Sequence, residues 1–520
     1  MHWDRIFRNI FSNWVSYFVT ALVGFLLSPI VVHALGNTGY GLWTLVLSLT
    51  GYFGLLDLGI RSSVGRFVAR HVALKDDKGV NRTLNTAFTI LAGAGALALV
   101  ATLVLVIFFF SSFKVEEQYQ SSGRIALAIT GLNMAFVLPL GVFTSLLVAL
   151  ERYDVLGAIT IFGELTRAAL VVVSLRAGYG LVTLALIGFL IVVMQYSAII
   201  FTAKRLFPAL RLRVDLVDRQ MFRSVFGFGV YRFIWIAANQ LIFYSDSVVI
   251  GIYLGAGAIT PYAIAGSLIN YGRNAVGLAT DTFYPAASRM DAERNMAGLG
   301  KLLILGTRIA LMVALPLCLG FIFLGRQFIT LWMGKAYASS AVFLIVLTIP
   351  QFGSMSQYVS ALILAGMAKH RALAYFVMVE GIANLILSIL LVQKIGLLGV
   401  AWGTVIPHLF CTTLVVPIYV LRTLNVSVRE YLVGAFLRPL ICALPITVMA
   451  YAFSVMVETA SWLTFAGEVA AICASFAAMA YFLCLDEWQR AVVLDKVRAV
   501  FFGKGSSLRT VDVMAAKRNG

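Results

Sequence analysis

Charge is scarce in this chain. Only 12% of its 520 residues are Asp, Glu, Lys or Arg, about half the share of an ordinary soluble domain. That excludes a large solvated surface. Histidine is almost as rare, at five residues, and His2, His33, His71, His370 and His408 lie scattered. No HExxH, GxSxG, Walker or CxxC pattern occurs, so no catalytic or metal-ligating constellation is visible. Cys318, Cys411, Cys442, Cys473 and Cys484 sit at irregular spacing inside apolar runs, as small packing residues rather than disulfides or ligands. No loop is long enough for a soluble catalytic domain, and the first apolar run, about 11–35, is too long for a cleaved leader. What is abundant is apolar sequence: 61% hydrophobic residues and a mean hydropathy of +0.93. The chain reads as an all-α polytopic membrane protein, and its net charge of +17 belongs to loops and lipid contact, with no nucleic-acid partner.

A spanning helix takes about 20 mainly apolar residues. That ruler gives about 14 transmembrane helices, at roughly 11–34, 41–60, 84–110, 124–150, 155–175, 180–203, 224–253, 258–287, 302–325, 338–366, 372–393, 397–421, 432–456 and 461–485. With the N-terminus inside and sides alternating, 30 of the 40 Lys and Arg fall on the inner side, six on the outer and four within spans. This is a strong positive-inside bias, which makes both termini cytoplasmic.

The expected organisation follows from that map. Residues 1–205 form an N-terminal lobe of six helices, 206–222 a basic cytoplasmic linker, and 223–422 a second six-helix lobe. Residues 430–486 add a helix pair, and 487–520 an amphipathic tail on the inner leaflet. An internal repeat relates the lobes. "LGNTGYGLWTLVLSL" at 35–49 aligns with "LGAGAITPYAIAGSL" at 254–268, and "GYGLVTLAL" at 178–186 with "KIGLLGVAW" at 394–402, at offsets of 219 and 216. The second offset also sets Glu164 on Glu380.

Ionisable groups at membrane depth cost ~2.5–3.5 kcal/mol each when unpaired, so each should face protein or water. Asp57 precedes Arg61 by one helical turn, acid first, which makes either a local ion pair or a gating element. Arg61, Arg66 and Arg70 follow on nearly one face, suited to anionic lipid headgroups. Glu164 and Arg167 can pair at i,i+3, and Arg308 can snorkel to the inner surface. Arg232, Asp246, Arg273, Asp281, Glu380 and Glu468 find no such local explanation. Helices 7 and 8 are the most polar. Tyr231, Trp235, Asn239, Gln240, Tyr244, Ser245, Asn270, Tyr271, Asn274 and Thr280 surround Arg232 and Arg273 where a lipid face would carry Leu and Val. Two readings stand: a hydrated cavity for a polar anionic cargo, or a polar helix–helix interface. Arginine suits phosphate and aromatic faces suit sugar rings.

Certain residues carry a family likeness. The turn Gly36, Gly39, Tyr40, Gly41, the later Asp57 and Gly59, and "YSDSVVIGIYLGAGAITPYAIAGSL" at 244–268 with Asp246, Gly251, Gly255 and Tyr262 resemble the polysaccharide transporter (O-antigen flippase-like) family of the multidrug/oligosaccharidyl-lipid/polysaccharide exporter superfamily. Pro261 and Ala258 depart mildly from its pattern. The resemblance implies no enzyme but an alternating-access flippase in a bacterial inner membrane. Its cargo would be a polyprenyl-diphosphate-linked oligosaccharide, with anionic lipids, a polysaccharide polymerase and other assembly proteins as partners. No cofactor is implied beyond coupling to protons, sodium or membrane potential. Cargo contacts would come from Arg167, Tyr231, Arg232, Trp235, Asn270, Tyr271 and Arg273, with Asp57, Glu164, Asp246, Asp281 and Glu380 as coupling or gating candidates. The competing readings are a peptidoglycan-precursor flippase, a multidrug/cation antiporter and, in another class, a membrane enzyme of glycan assembly. Proton-coupled antiporters usually place an acid deep in helix 1, and helix 1 here has none.

The charge map makes a direct prediction. With native cysteines replaced, Gly39→Cys and Ala256→Cys should react with an impermeant thiol reagent in intact spheroplasts, and Asp77→Cys and Val217→Cys should not. Labelling of the second pair would invert the assigned orientation.

Overall fold

The computed structural model describes residues 3–218, 221–222, 230–457, 461–485, 487 and 490–491. Most of the expected tail helix, 487–501, lies outside them. The described residues are helical with no strand. The helices are α1 (Trp3–Gly51), α2 (Ile60–Ala73), α3 (Asp77–Val104), α4 (Glu117–Ala149), α5 (Tyr153–Arg176), α6 (Leu181–Leu206) and α7 (Val230–Tyr253). After them come α8 (Ile259–Thr280), α9 (Phe283–Ala292), α10 (Met296–Phe323), α11 (Gly325–Met333), α12 (Ser340–Thr348), α13 (Gln351–Ser356) and α14 (Tyr358–Gly366). The last are α15 (His370–Ile395), α16 (Leu397–His408), α17 (Val416–Leu424), α18 (Val428–Tyr431), α19 (Arg438–Met456) and α20 (Trp462–Leu483).

Among the described residues, eleven helical segments are long and apolar enough to cross a membrane, or twelve if the bent pair α12 with α13–α14 counts as one. Large apolar side chains such as Phe108, Phe109, Val448 and Leu463 are exposed, as a lipid belt requires. The chain is a multi-pass membrane protein. The first apolar segment, Trp14–Asp57, has 44 residues and would run ~66 Å if straight, about twice a hydrocarbon core. Gly36 breaks it with φ 68° and ψ −176°, a conformation that glycine reaches without steric cost. The expected continuous span 338–366 is instead bent by 49° at the Thr348–Pro350 corner, because Pro350 brings no N–H to the ladder. The expected span 258–287 is divided between α8 and α9, and α8 falls short of the apolar criterion because of its polar stripe.

Two compact units are present. One comprises Met1–Tyr271, Trp332–Leu347 and His370–Cys411, the other Gly272–Leu331, Thr348–Lys369 and Thr412–Gly520. In the first, Ile60, Val64 and Val68 form an i,i+4 row on α2 that packs with Leu84 and Leu91 of α3, Phe143 and Leu147 of α4 and Ile199 of α6. In the second, three such rows meet: Leu311, Leu315 and Leu319; Cys442, Ile446 and Ala450; Ile472, Phe476 and Ala480. In lipid these rows gain no aqueous hydrophobic effect, so close van der Waals fit holds them. Arg308 does not snorkel freely; its Nε and Nη2 donate to Gly434 O and its Nη1 to Cys484 O, closing carbonyls that an irregular turn leaves open. The five cysteines are free, and all but Cys473 are buried.

The turning points repeat along the chain. Left-handed glycines occur at Gly36 and Gly255 and at Gly178 and Gly396, and left-handed non-glycines at Lys75 and Arg294 and at Glu151 and Ala368. The separations within these pairs are 219, 218, 219 and 217 residues. Asp76 caps α3 through the Gly79 N–H, and Asn295 caps α10 through the Gly298 N–H, again 219 apart.

Residues 207–218 are tied to α3. Asn81 Nδ2 donates to Ala209 O while its Oδ1 accepts from Arg211 N; one turn on, Asn85 Nδ2 donates to Arg211 O and its Oδ1 accepts from Arg213 N. Two amide side chains thus act as one edge of a strand. Asn85→Ala should remove two of these bonds, at about 1 kcal/mol each, and free the segment. Limited trypsinolysis should then cut after Arg211 and Arg213 several-fold faster than in the wild type; equal rates would show that the clasp holds nothing.

Candidate functional site

The α1–α2 junction shows why an acid stands at the end of an apolar run. Tyr52–Asp57 tighten into a 3-10 turn, and Leu58 (φ 50°) and Gly59 (φ 74°) break the helical path before α2 starts. Asp57 then pairs with Arg61 at 3.1 Å, and Arg61 Nη2 donates to Val137 O of α4. On α5, Glu164 and Arg167 pair at 2.5 Å on their own helix, which occupies both side chains.

The α7 residues are brought together. Trp235, Asn239, Gln240, Phe243 and Tyr244 line a cavity of about 210 Å³. Two glycines allow close approach to its lining side chains: a Cβ on Gly51 would lie 2.5 Å from the Tyr244 ring, and one on Gly54 would lie 3.0 Å from Gln240 Nε2. Tyr52 meets Tyr244 edge-on at 5.8 Å. The Tyr231 and Arg232 side chains lie outside the described residues. Asn270 and Asn274 of α8 and Asp281 just past its end are exposed at i, i+4, i+11, a single polar stripe, with Arg273 half-buried beside it. Tyr271 turns elsewhere, against Phe25 at 6.0 Å. Asn270 and Arg273 therefore share a stripe, while Tyr271 packs in an aromatic group with Phe25 and Trp332.

The strongest constellation was only half foreseen. Asp246 of α7, 5% exposed, accepts from Tyr262 Oη at 2.5 Å and from Thr404 Oγ1 at 2.8 Å. Asn384 Nδ2 donates to Thr404 Oγ1, and Ser245 Oγ donates to Asn384 Oδ1. One turn away Glu380 Oε1 lies 2.5 Å from His408 Nδ1, both side chains buried. One turn the other way Ser388 Oγ donates to Val400 O. Residues 380, 384 and 388 of α15 thus face 408, 404 and 400 of α16 as three rungs between antiparallel helices. Asp246 Oδ1 and His408 Nε2 are buried and make no hydrogen bond among the described residues. Asp246 and Glu380 were expected; His408, Thr404, Asn384 and Tyr262 were not. The available signal was polar spacing of four in two neighbouring apolar helices. Among the described residues no group of three His, Cys, Asp or Glu could hold a metal ion.

Among the described residues, the apolar helical segments, the polar cavity on α7 and the buried polar ladder are consistent with a transporter. The family model described as polysaccharide biosynthesis protein matches residues 6–291, more than half the chain, and the chain belongs to that family. A Shigella flexneri protein assigned provisionally as an O-antigen transporter is 21% identical over 402 residues, covering 76% of this chain and 93% of its own. An uncharacterised membrane protein of Methanocaldococcus jannaschii is 20% identical over 433 residues, 77% of this chain and 81% of its own. In fold the chain is similar to the lipid II flippase MurJ in an inward closed conformation, with TM-score 0.69, 13% identity and coverage of 91% and 98%. It is also similar to an inward-facing multidrug resistance MATE family transporter of the MOP superfamily, with TM-score 0.67, 15% identity and coverage of 78% and 96%. The two solved structures are a flippase and a multidrug transporter by name, and this chain shares their fold.

The Glu380–His408 pair predicts an asymmetric mutational pattern. Glu380→Ala should cost about 3–5 kcal/mol by stranding a buried imidazole, while the double replacement Glu380→Leu with His408→Leu should recover most of it. Thermal unfolding in detergent reads the order. A double variant no more stable than Glu380→Ala would mean that the pair is not a unit.

Proposed function

We propose that this chain is an alternating-access flippase that moves a polyprenyl-diphosphate-linked oligosaccharide from the inner to the outer leaflet of a bacterial inner membrane. The observation that carries the reading is the α7 cavity. Trp235, Phe243 and Tyr244 offer aromatic faces, and Asn239 and Gln240 offer amides, which is the chemistry of sugar recognition rather than of lipid contact. The family and the O-antigen transporter relative support the glycan class. Arg273, half-buried beside the polar stripe of α8, is the proposed contact for the diphosphate, with Asn270 three residues before it and Arg232 contributing from α7.

The proposed topology has fourteen crossings and cytoplasmic termini. The Trp14–Asp57 segment with its break counts twice, the bent pair once and α8 once, beside ten further apolar helices. The recurrent turning points support a repeat between lobes at 1–205 and 223–422, and the same proposal has a linker at 206–222, an appended pair at 430–486 and a cytoplasmic tail at 487–520. Asp246 is the proposed coupling residue: a buried carboxylate whose partners are hydroxyls rather than a cation. Asp57, Glu164 and Asp281 stay secondary candidates, the first two being engaged with Arg61 and Arg167. A second reading, a peptidoglycan-precursor flippase, is favoured by the near-complete overlap with MurJ and shares the diphosphate chemistry.

The test is export of surface polysaccharide in a strain lacking the native gene, at matched abundance. Arg273→Ala should accumulate lipid-linked oligosaccharide on the inner leaflet, and Arg273→Lys should recover part of the loss, since it keeps charge without the fork. Asp246→Asn should slow export at least about tenfold and abolish its response to the ion gradient. Normal export by Arg273→Met would refute the diphosphate role, and rescue by a peptidoglycan-precursor assay alone would select the second reading.

A further inference from the structure

A second cavity lies in the first compact unit, away from α7 and α8. It encloses about 520 Å³, within the ~300–1,000 Å³ range of small-molecule sites, between α2, α4 and α6. Two guanidinium groups, Arg61 and Arg66, and three hydroxyls, Thr144, Ser145 and Tyr196, line it, and no carboxylate does. Asp57 is the acid that touches it indirectly, through Arg61. A guanidinium has five N–H donors; Arg61 spends its bonds on Asp57 and Val137 O and keeps donors for a ligand. Gly141 holds this arrangement open, because a Cβ there would come within 2.5 Å of Arg61 Nε. Gly65, between the two arginines, has nothing within 4 Å of its Cβ position. Its α4 and α6 lining residues lie in the C-terminal parts of those helices, which run on to Arg152 and to Lys204 and Arg205, and Arg70 follows Arg66 by one turn on α2.

We propose that this cavity is a loading site for the phosphate groups of a membrane lipid, with the diphosphate of the cargo as its ligand. Ser145 Oγ already donates to Arg61 O and Gly141 O, so the match rests on the two forked cations, whose geometry suits two adjacent phosphates that accept from several donors at once. The lipid tail would stay in the bilayer while the headgroup is captured at the basic face, before any passage to the α7 cavity. The identity of the cargo rests on the flippase reading; the anion site rests on the cavity.

The experiment uses the full chain in phosphatidylcholine nanodiscs and measures the affinity for a polyprenyl diphosphate, with the neutral polyprenol and phosphatidylglycerol as parallel probes. Arg66 is exposed on α2, so Arg66→Gln should fold. It should weaken polyprenyl diphosphate binding at least about tenfold, with Arg66→Lys intermediate, Tyr196→Phe a few-fold weaker and polyprenol unchanged. In the export assay Arg66→Gln should raise the half-saturating cargo level more than it lowers the maximal rate. Wild-type affinity for the diphosphate in Arg66→Gln overturns the loading site and leaves the flippase reading standing. An equal loss for phosphatidylglycerol also overturns it, by assigning the cavity to bulk lipid. A wild-type chain that binds no polyprenyl diphosphate would remove the flippase reading as well.

Discussion

In hydrocarbon a backbone N–H or C=O has no water to turn to, and each one left open costs several kcal/mol. The rest of the structure answers to that constraint. Helices close their own ladders, so the informative places are where a ladder stops. Arg308 reaches across to Gly434 O and Cys484 O where the helical path loosens between α18 and α19. The break at Leu58 and Gly59 is short and is backed by the Asp57–Arg61 pair. Residues 209–213, which have no helix of their own, borrow a ladder from Asn81 and Asn85.

The recurrence of turning points allows a comparison within one chain. At the repeat offsets of 219 and 216 residues, Asp246 falls on Leu27 and Asn384 on Ala168. Leu27 is buried in an apolar cluster with Ala168 packed against it. The same helical arrangement is therefore stable with hydrocarbon at these positions. A polar ladder in their place carries desolvation costs that apolar packing avoids, which points to a purpose other than stability. Glu164 and Glu380 diverge in the same way: the first pairs within its own helix, the second across to α16.

Much of the candidate site was legible because its logic is local. Asp57 and Arg61 sit one turn apart, Glu164 and Arg167 three residues apart, and helical spacing alone collects Trp235, Asn239 and Gln240 on α7. His408 was not legible. It stands 28 residues from Glu380, and only the antiparallel hairpin of α15 and α16 sets the two side by side. Tyr271, grouped with Asn270 and Arg273 by sequence neighbourhood, turns to Phe25 instead, since consecutive helical residues point about 100° apart.

The sequence by itself determined the solvent, the helical class and the approximate spans, because transfer of apolar residues into lipid is a sum over single residues. It also determined the pairs within a helical turn. Only the tertiary structure decided which rungs α15 and α16 form, where Asp246 finds its hydroxyls, and that Arg61 and Arg66 share a cavity with Tyr196. Those outcomes depend on register between distant helices. Such register is set by the packing of many apolar side chains whose composition is nearly interchangeable from one span to the next, and no single residue announces it.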